Sequence, residues 1–393
     1  MKTLRLAALG AFFITLSFKA LHAQEAQDPR DEIITDFGID EYIYAPKFTL
    51  SVGMRSLDGA KSSFTGRGIV ASVTALADSK SAGLTRYYHD GTVFVDTRTI
   101  ADIDGNSAPI TPDGLTNSWS YNFARQVTAD GNMSFHTYSA DIADPGIRSR
   151  NADSSRGVEV VVARDMGKIG KKMDWKLFAG ISLNDINSSR TENLSATVTT
   201  ITDYYTLNGQ TPPAPPYLAP SSGATTVVAP DGTVLSVPID TTVLLGSSPL
   251  GRLTTLSTGK VFNRWKVKGA YFTVRMGPSL TYAITEKLKA TLSVGAAVVF
   301  VGSNYSVEEV YTPDIGDDIV KNVDNTTEKL LPGYYADATV EYEFTERAGA
   351  YAGAVYQSNG DYQQRIATTE ANYATKIDLA SLQGFRLGMN FRF

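Results

Sequence analysis

The sequence predicts an all-β protein, an antiparallel transmembrane β-barrel of about twelve strands with short turns at one rim and long loops at the other. Many segments alternate apolar and polar side chains with a period of two, as strands with one apolar face do. After residue 23, no segment offers the ~20 consecutive apolar residues that a transmembrane helix needs. The final strand keeps the alternation up to the last residue of the chain.

The N-terminus has the order of features found in export signals. Basic residues precede an apolar stretch, and Leu21-His22-Ala23 closes it with a small-residue cleavage site. We therefore expect residues 1–23 to be a signal peptide that is removed. Residues 24–46 are acidic and predict a periplasmic N-terminal segment, either a mobile tail or a small plug. Residues 47–393 then form the barrel.

The predicted strands follow one another along the barrel segment, mostly as hairpins. The clearest hairpin joins residues 270–282 to 288–300 through the polar turn Thr285-Glu286-Lys287. Residues 84–95 alternate poorly, and we include them because an even strand number puts both termini on one side. The predicted strands are residues 48–54, 69–75, 84–95, 119–127, 133–141, 158–165, 173–183, 270–282, 288–300, 334–344, 348–357 and 385–393.

The connections between these strands alternate between short turns and long loops. The longest loop, residues 187–260, is rich in Thr and Ser and contains Pro212-Pro213-Ala214-Pro215-Pro216. Structureless loops of this length are usually functional or disordered. We expect the loop either to fold into the barrel as a constriction or to stand outward as a surface flap.

The closing strand carries the most specific signal in the chain. Arg386, Gly388, Asn390 and Arg392 alternate there with five apolar residues, namely Phe385, Leu387, Met389, Phe391 and Phe393. This tail resembles the C-terminal strand of bacterial outer-membrane β-barrel proteins, which typically ends in Phe. The resemblance implies that the apolar residues are an assembly signal for the barrel-assembly machinery. It also implies that the barrel lies in outer-membrane lipid with its long loops outside the cell.

The charge balance excludes one class of partner. The net charge is −5, and removing Lys2, Arg5 and Lys19 with the signal peptide changes it to −8. Nucleic acid attracts a basic surface instead, so we expect no nucleic-acid partner. The chain has no cysteine, so hydrogen bonding and packing alone must stabilise it, which a closed sheet allows.

The sequence offers little for catalysis or metal binding. His136 lies near Ser139 and Asp141, which could supply a base, a nucleophile and an acid. Ser139, however, is three positions from His136 and therefore points to the opposite face of a strand. The segment from Asp102 to Asp113 partly resembles an EF-hand loop, but Ser107 stands where the sharp-turn glycine belongs. The sequence therefore predicts no enzyme, no cofactor and no metal site.

Charged residues opposite the lipid face should line the lumen. Those on the first and last strands are basic, and those two strands away are acidic, which would set a transverse field for polar solutes. Alternatively, the same charges neutralise one another in a filled interior. The predicted lumen-lining residues are Lys47, Arg55, Arg275, Asp337, Glu341, Glu343, Arg386 and Arg392.

The sequence thus predicts a porin-like passive channel for small hydrophilic solutes. The alternative is a non-conducting surface barrel whose extracellular loops bind a partner or stabilise the envelope, and the loop of residues 187–260 motivates it. A barrel of about twelve strands is compatible with either function, because its interior can be open or packed.

Overall fold

The computed structural model describes residues 47–71, 76–81, 83–101, 103, 105–143 and 146–393. The predicted signal peptide and the acidic segment, residues 1–46, lie outside the described residues. Within the described ranges the regular structure is β-strand with a short 3-10 turn at Ala124–Gln126, and no helix there is long and apolar enough to cross a membrane.

The strands are numbered here in chain order. They are β1 (Phe48–Asp58), β2 (Lys61–Val70), β3 (Arg86–Tyr88), β4 (Gly91–Val93), β5 (Thr99–Ala101), β6 (Ser107–Pro109), β7 (Leu115–Thr116), β8 (Trp119–Tyr121), β9 (Asn132–Ile142), β10 (Arg148–Asn151), β11 (Ser155–Lys168), β12 (Met173–Thr206), β13 (Tyr217–Ala219), β14 (Ser222–Val228), β15 (Val234–Asp240), β16 (Leu245–Gly246), β17 (Gly251–Ala283), β18 (Leu288–Tyr311), β19 (Ile319–Glu343), β20 (Ala348–Ser358), β21 (Asp361–Ala367), β22 (Ala371–Asp378) and β23 (Leu382–Arg392).

Eight of these strands form a ring of antiparallel pairs. The order is β1-β23-β20-β19-β18-β17-β12-β11, and β11 pairs with β1, so the backbone pairing returns to its start. The sequence predicted about twelve barrel strands, and the ring formed by these pairs in the described residues contains eight.

The other predicted strands lie outside this ring. β2 and β9 pair with each other, β9 pairs with the far half of β12, and β2 also pairs with β22. Residues 84–95 contain the small hairpin β3–β4, and residues 119–127 contain only the short strand β8. The apolar and polar residues of these segments alternate because each strand has one buried face. A strand with one face in contact with lipid has the same period of two.

Four ring strands are much longer than a membrane crossing requires. β12 and β17 have 34 and 33 residues, and β18 and β19 have 24 and 25, whereas a tilted strand crosses a bilayer in about 9–11 residues. The predicted loop of residues 187–260 is corrected accordingly, because its ends belong to β12 and β17. The middle of that segment connects the two strands and contains the hairpin β14–β15, which we call the distal hairpin.

The outer surface of the ring carries an apolar band. On β12 the outward residues Leu177, Ile181 and Leu183 are exposed, and the outward position becomes polar at Asp185. On β18 the exposed residues Leu292, Val294 and Phe300 continue the band. On β23 the apolar side chains are exposed while Arg386 and Asn390 are buried, which confirms the predicted facing of the closing strand; the exposed residues are Phe385, Leu387, Met389, Phe391 and Phe393.

Two glycines adapt the ring wall to an inward tyrosine. Gly53 on β1 pairs with Gly388 on β23. A Cβ atom at these positions would lie 2.2 Å and 2.7 Å from the hydroxyl oxygen of Tyr351. The tyrosine can therefore cross over the backbone of its neighbours only because both positions lack a side chain.

The interior changes character along the ring. Near the C-terminal rim, which we define as the end with Phe393 and the turns at residues 284–287 and 344–347, it is polar and charged. Farther away lies an apolar group that we call the upper core, built around Phe64, Trp265 and Tyr305. A second cluster surrounds Trp119 on the small sheet β13-β8-β4-β3, which we call the distal sheet.

Candidate functional site

The interior of the ring contains a buried group of acidic and basic residues that we call the central network. It consists of Arg55, Arg275, Arg386, Glu159 and Asp337, each less than 10% exposed. Each one lies on a different strand of the ring, on β1, β17, β23, β11 and β19 respectively. Buried charges are stable only when they are paired and hydrogen-bonded, so their partners determine what this interior does.

Glu159 connects two of the arginines. Its Oε2 atom accepts a hydrogen bond of 2.7 Å from Nη2 of Arg275. Its Oε1 atom lies 2.6 Å from Nε of Arg386 and accepts a hydrogen bond of 2.9 Å from the hydroxyl of Tyr351. One carboxylate on β11 thus links three other ring strands. β17 and β23 lie two places away from β11 in the ring, and β20 lies three places away.

Arg386 also bonds on its other side. Its Nη1 atom donates to Oδ2 of Asp337 and to the hydroxyl oxygen of Tyr335, both at 2.9 Å. The hydroxyl of Tyr335 in turn donates to Asp337, and the guanidinium of Arg275 lies 4.4 Å from the centre of the Tyr335 ring. The polar and aromatic side chains of β19 therefore hold two arginines from other strands.

Arg55 has neutral hydrogen-bond partners. It donates to Oγ of Ser182 at 2.9 Å and to Oε1 of Gln357 at 2.5 Å. The amide nitrogen of Gln357 donates to Oγ1 of Thr273 at 3.3 Å. Arg55 also pairs directly with Arg386 in the β1–β23 register, so two like charges are neighbours on one face. Such neighbours repel each other unless a counter-ion lies between them, and Glu159 bonds to Arg386 at this position.

These bonds cross the interior of a narrow ring. An eight-stranded barrel has an interior just wide enough for side chains to fill. Because Glu159, Gln357 and Arg386 contact strands two or three places away, side chains occupy the interior at this level. Removing one partner of such a buried pair typically costs about 3–5 kcal/mol, because the other charge is left without compensation.

A second charged group, which we call the rim cluster, lies nearer the C-terminal rim. Its members are Lys176, Lys289, Arg392, Glu341 and Glu343. Nζ of Lys289 lies 2.7 Å from Oε1 of Glu343, and Arg392 pairs with the same carboxylate. Glu341 accepts a hydrogen bond of 3.1 Å from Thr291 and lies 3.8 Å from Arg392. A polar cavity of about 50 Å³ separates this cluster from the central network.

At the other end, the upper core fills the interior with aromatic side chains. The ring of Phe64 on β2 stacks at 6.2 Å on Trp265 and at 6.0 Å on Tyr305. Glu309 lies fully buried beside this group and accepts a hydrogen bond of 2.5 Å from Tyr373. Burial raises the pKa of Glu309 above its usual value. This residue lies on β18 beyond the apolar band, which ends at Phe300.

The predicted lumen residues fall into three groups. Arg55, Arg275, Arg386 and Asp337 are in the central network, while Glu341, Glu343 and Arg392 are in the rim cluster. Lys47 does not belong to either group, because it precedes β1 and is exposed. The prediction of separate basic and acidic walls was wrong, since opposite charges pair directly; their neutralisation in a filled interior was the alternative.

The sequence analysis missed several residues that complete these groups. Glu159, Lys176 and Lys289 face inward by the same alternation that identified the others, and Val158 and Val160 beside Glu159 are exposed. This signal was available in the sequence. The tyrosines were not recognisable in this way, because Tyr occurs both at the outer surface and inside the ring.

His136 does not assemble with the residues considered for a hydrolase. Its Nδ1 atom lies 2.6 Å from Oδ2 of Asp90, and its backbone N–H donates to Oδ1 of the same residue at 2.8 Å. Asp141 is exposed, and Ser139 has no hydrogen bond to His136. In the described part of the chain, no three His, Cys, Asp or Glu residues are placed to hold a metal ion, and Asp102 lies outside the described residues.

A polar cluster ties the distal sheet to the ends of the long ring strands. Asp203 accepts hydrogen bonds from Arg252 at 2.7 Å and 2.8 Å and from the hydroxyl of Tyr88 at 2.6 Å. The hydroxyls of Tyr88 and Tyr205 lie 2.8 Å apart. Burial raises the pKa of Tyr88, and it raises that of Tyr205 to about 12. The hairpin β3–β4 is thereby fixed to β12 and β17.

The distal hairpin is the most exposed apolar element of this region. Every residue of β15 and nearly every residue of β14 is exposed. Two proline-containing segments at its base, with Arg98 and Asn117, border an open cavity of about 640 Å³. The exposed apolar side chains are Val227, Val228, Val234, Leu235, Val237 and Ile239.

Comparisons with known proteins add little to these observations. No family model matches the chain, and no curated protein matches it either. Among solved structures, the outer membrane protease OmpT from Escherichia coli aligns over 88% of this chain and 97% of its own, with 10% identity and a TM-score of 0.28. A Pseudomonas aeruginosa FadL homologue aligns over 88% and 90%, with 9% identity and a TM-score of 0.19. Such low scores carry no argument about function.

Proposed function

We propose that this chain is an outer-membrane β-barrel with a closed interior that holds a β-rich extracellular region at the cell surface, where it binds a partner. The observation that carries the proposal is the central network, whose hydrogen bonds join strands two and three places apart in the ring. A partner-binding surface barrel was the alternative that the long loop suggested.

The apolar band supports the membrane part of the proposal. Soluble proteins rarely expose contiguous apolar patches larger than a few hundred Å². Here exposed Val, Leu, Met and Phe residues line the outside of neighbouring strands, as on β11, β12 and β23. A transmembrane barrel has such an apolar outer band around a polar interior. The short turns and Phe393 at the C-terminal rim would then face the periplasm, and the long strand extensions would leave the membrane on the outside.

The filled interior supports the part of the proposal that the barrel has no channel. The central network occupies one level with buried arginines, and the upper core occupies another with stacked aromatic rings. A porin-like channel for small hydrophilic solutes is the competing function, and it needs a continuous polar path. Apolar side chains such as Phe64 and Trp265 would make the upper level unfavourable for water and ions.

The structure of the distal sheet and the distal hairpin supports the partner-binding part of the proposal. The distal sheet is fixed to the barrel through Asp203 and Arg252, so it is presented in a defined orientation. The distal hairpin exposes six large apolar side chains, and exposed apolar surfaces of this kind mark interaction sites. Stabilisation of the envelope, the other role considered for a closed barrel, does not require this surface.

Single-channel recording in a planar bilayer tests the proposal. We expect the refolded protein to insert, shown by a heat-modifiable gel band, and to give no current steps. A variant in which a short Gly-Ser turn replaces residues 223–239 should fold and stay silent as well. Steady ohmic steps from the wild-type protein would overturn the closed interior. Steps that appear only in the deletion variant would make the hairpin a plug and overturn its surface role.

A further inference from the structure

The distal hairpin has two outer edges, and its hydrogen bonds show which backbone groups each edge presents. The N–H of Ala229 donates to the carbonyl oxygen of Thr233 at 2.8 Å. At the other end of the hairpin, the N–H of Thr241 donates to the carbonyl oxygen of Ser221 at 3.2 Å. Along an antiparallel ladder, such hydrogen-bonded pairs alternate with pairs whose N–H and C=O groups point outward. The outward-pointing residues are therefore Ser222, Ala224, Thr226 and Val228 on β14 and Val234, Ser236, Pro238 and Asp240 on β15.

The two edges differ in their hydrogen-bond donors. Pro238 on β15 has no N–H, so the outward row of β15 lacks one donor. Proline at an edge position hinders the pairing of another strand there. The outward row of β14 contains no proline and keeps all its donors and acceptors. Among the described strands, β14 pairs with β15 alone. The hairpin thus has one intact free edge, on β14, and one blocked edge, on β15.

The free edge of β14 also lacks charged side chains. Proteins usually protect an exposed edge with charged residues, because an unprotected row of N–H and C=O groups pairs with other strands. From Ser222 to Ala229 the chain carries no charge, and the hairpin has only Asp231 in its turn and Asp240 at its base. A two-stranded hairpin on its own is marginally stable in water. An added strand would therefore stabilise this element.

The edge of β14 is complementary to a second copy of itself. We consider two β14 strands that run antiparallel, with Thr225 of one copy opposite Thr225 of the other. In that register Ser222 of one copy meets Val228 of the other. Ala224 meets Thr226 in the same way, so every outward-pointing residue of β14 faces an outward-pointing residue of the second copy. Opposed threonines are a favourable cross-strand pair, and no charges are brought together.

We propose that the partner of the extracellular region is a second copy of this chain, which pairs its β14 antiparallel to β14 of the first copy and forms a four-stranded sheet. This inference rests on the proposed function, because it names the partner that the distal hairpin binds. The pair is closed, since each copy uses the same edge and Pro238 blocks both outer edges of the combined sheet. One pair of strands is a small interface, so the pairing is weak and depends on protein concentration.

A cysteine at position 225 tests the register. The chain has no cysteine, so any disulfide must join two copies. Opposed residues of a non-hydrogen-bonded pair have Cα atoms about 4.5 Å apart, within the range of about 4.4–6.8 Å that a disulfide spans. Thr225→Cys in detergent micelles should therefore form a covalent dimer on oxidation, seen on a non-reducing gel.

Ser236→Cys is the matched control for this crosslink. Ser236 is exposed on β15, three strand spacings from its equivalent in the second copy, so the two cysteines would lie at least about 14 Å apart. We expect this variant to stay uncrosslinked. No covalent dimer from Thr225→Cys, or equal amounts from both variants, would overturn the pairing.

Thr226→Pro tests the same edge without a disulfide. The N–H of Thr226 points away from β15, so the change removes a donor from the free edge and leaves the hairpin ladder intact. Sedimentation in detergent micelles should show a concentration-dependent equilibrium between monomer and dimer for the wild type. Thr226→Pro should raise the dissociation constant at least about tenfold, and Ser236→Pro, at the matching position of β15, should leave it unchanged. Equal effects of the two changes, or assemblies larger than a dimer, would contradict the assignment of the edges.

The failure of this pairing can be distinguished from the failure of the proposed function. A wild-type protein that is monomeric at every concentration and gives no current steps in a planar bilayer would overturn the pairing and leave the closed barrel with a different partner. Current steps from the wild type would overturn the proposed function, whichever mass sedimentation gives.

Discussion

The two levels of the barrel interior are filled by different kinds of interaction. The central network depends on complementary charges at distances of 2.6–2.9 Å, whereas the upper core depends on the volume of rings such as Phe64 and Trp265. A buried charged network is destabilised by the loss of any one charge, whereas an apolar core tolerates apolar replacements of similar volume and is destabilised by cavities. The two levels fill the interior of one ring by different means, and substitutions at each level can separate the two mechanisms.

The largest effect among substitutions that keep the side-chain size is expected from Glu159→Gln. The change keeps the side-chain shape but leaves Arg275 and Arg386 without their shared carboxylate. We expect a loss of about 3–5 kcal/mol in the free energy of unfolding, measured by urea titration in detergent micelles. Glu343→Gln, nearer the rim, serves as the control with a smaller loss. Equal losses would mean that burial of the central network does not matter.

The next effect is expected where the inward-facing Tyr351 lies over the backbone of β1 and β23. In Gly388→Ala the new Cβ atom would lie 2.3 Å from the carbonyl oxygen of Val52 and 2.7 Å from the Tyr351 hydroxyl. Such overpacking costs about 1–3 kcal/mol, so the urea midpoint should fall. Gly302→Ala meets no atom within 4 Å and is the matched control. If both variants unfold at the wild-type midpoint, the hydroxyl of Tyr351 does not lie against Gly388.

A smaller effect is expected from a change of shape in the upper core. Phe64→Leu keeps an apolar side chain against Trp265 and Tyr305 and should cost less than about 1.5 kcal/mol. Phe64→Ala leaves a cavity and should cost about 3–5 kcal/mol by the same urea titration. A Leu variant as unstable as the Ala variant would show that this core, like the central network, requires one specific side chain.

The smallest effect concerns Glu309, a buried carboxyl group beside the upper core. Burial raises the pKa of Glu309 above its usual value of 4.5, so the folded state binds its proton more tightly than the unfolded state. The resulting stabilisation is complete below pH 4.5 and is lost as the pH rises through the folded-state pKa. Glu309→Gln should remove this part of the pH dependence of unfolding, whereas Glu308→Gln should retain it. If the free energy of unfolding of the wild type instead rises with pH above pH 4.5, and this rise is lost in Glu309→Gln, the raised pKa of Glu309 is contradicted.

The facing of several ring strands could be predicted from sequence, but the facing of β20, which is rich in small residues, and the number of ring strands could not. The alternation at Phe385 to Phe393 identified both the exposed apolar face and the buried Arg386. The same alternation in β9 reflects packing on the upper core and the distal sheet, where Ala140 and Phe135 are buried. Period two reports that a strand has one apolar face, not whether lipid or protein covers that face.

The central network could be predicted only in part for a related reason. Alternation placed Arg55, Arg386 and Asp337 inside the ring, but which charges pair depends on the ring order and the strand number. A barrel of about twelve strands leaves room for either an open or a packed interior, whereas in the ring of eight the basic and acidic residues meet. The pairing of these charges could therefore not be predicted without the strand number.

The most direct test of the closed interior is single-channel recording of four proteins under one set of conditions. These are the wild type, Arg386→Ala/Asp337→Ala in the central network, Phe64→Ala/Trp265→Ala in the upper core, and the combination of all four changes. If two closures lie in series, the first three proteins should be silent and only the combination should give current steps. Steps of equal size from the wild type, or from either double variant alone, would contradict the account.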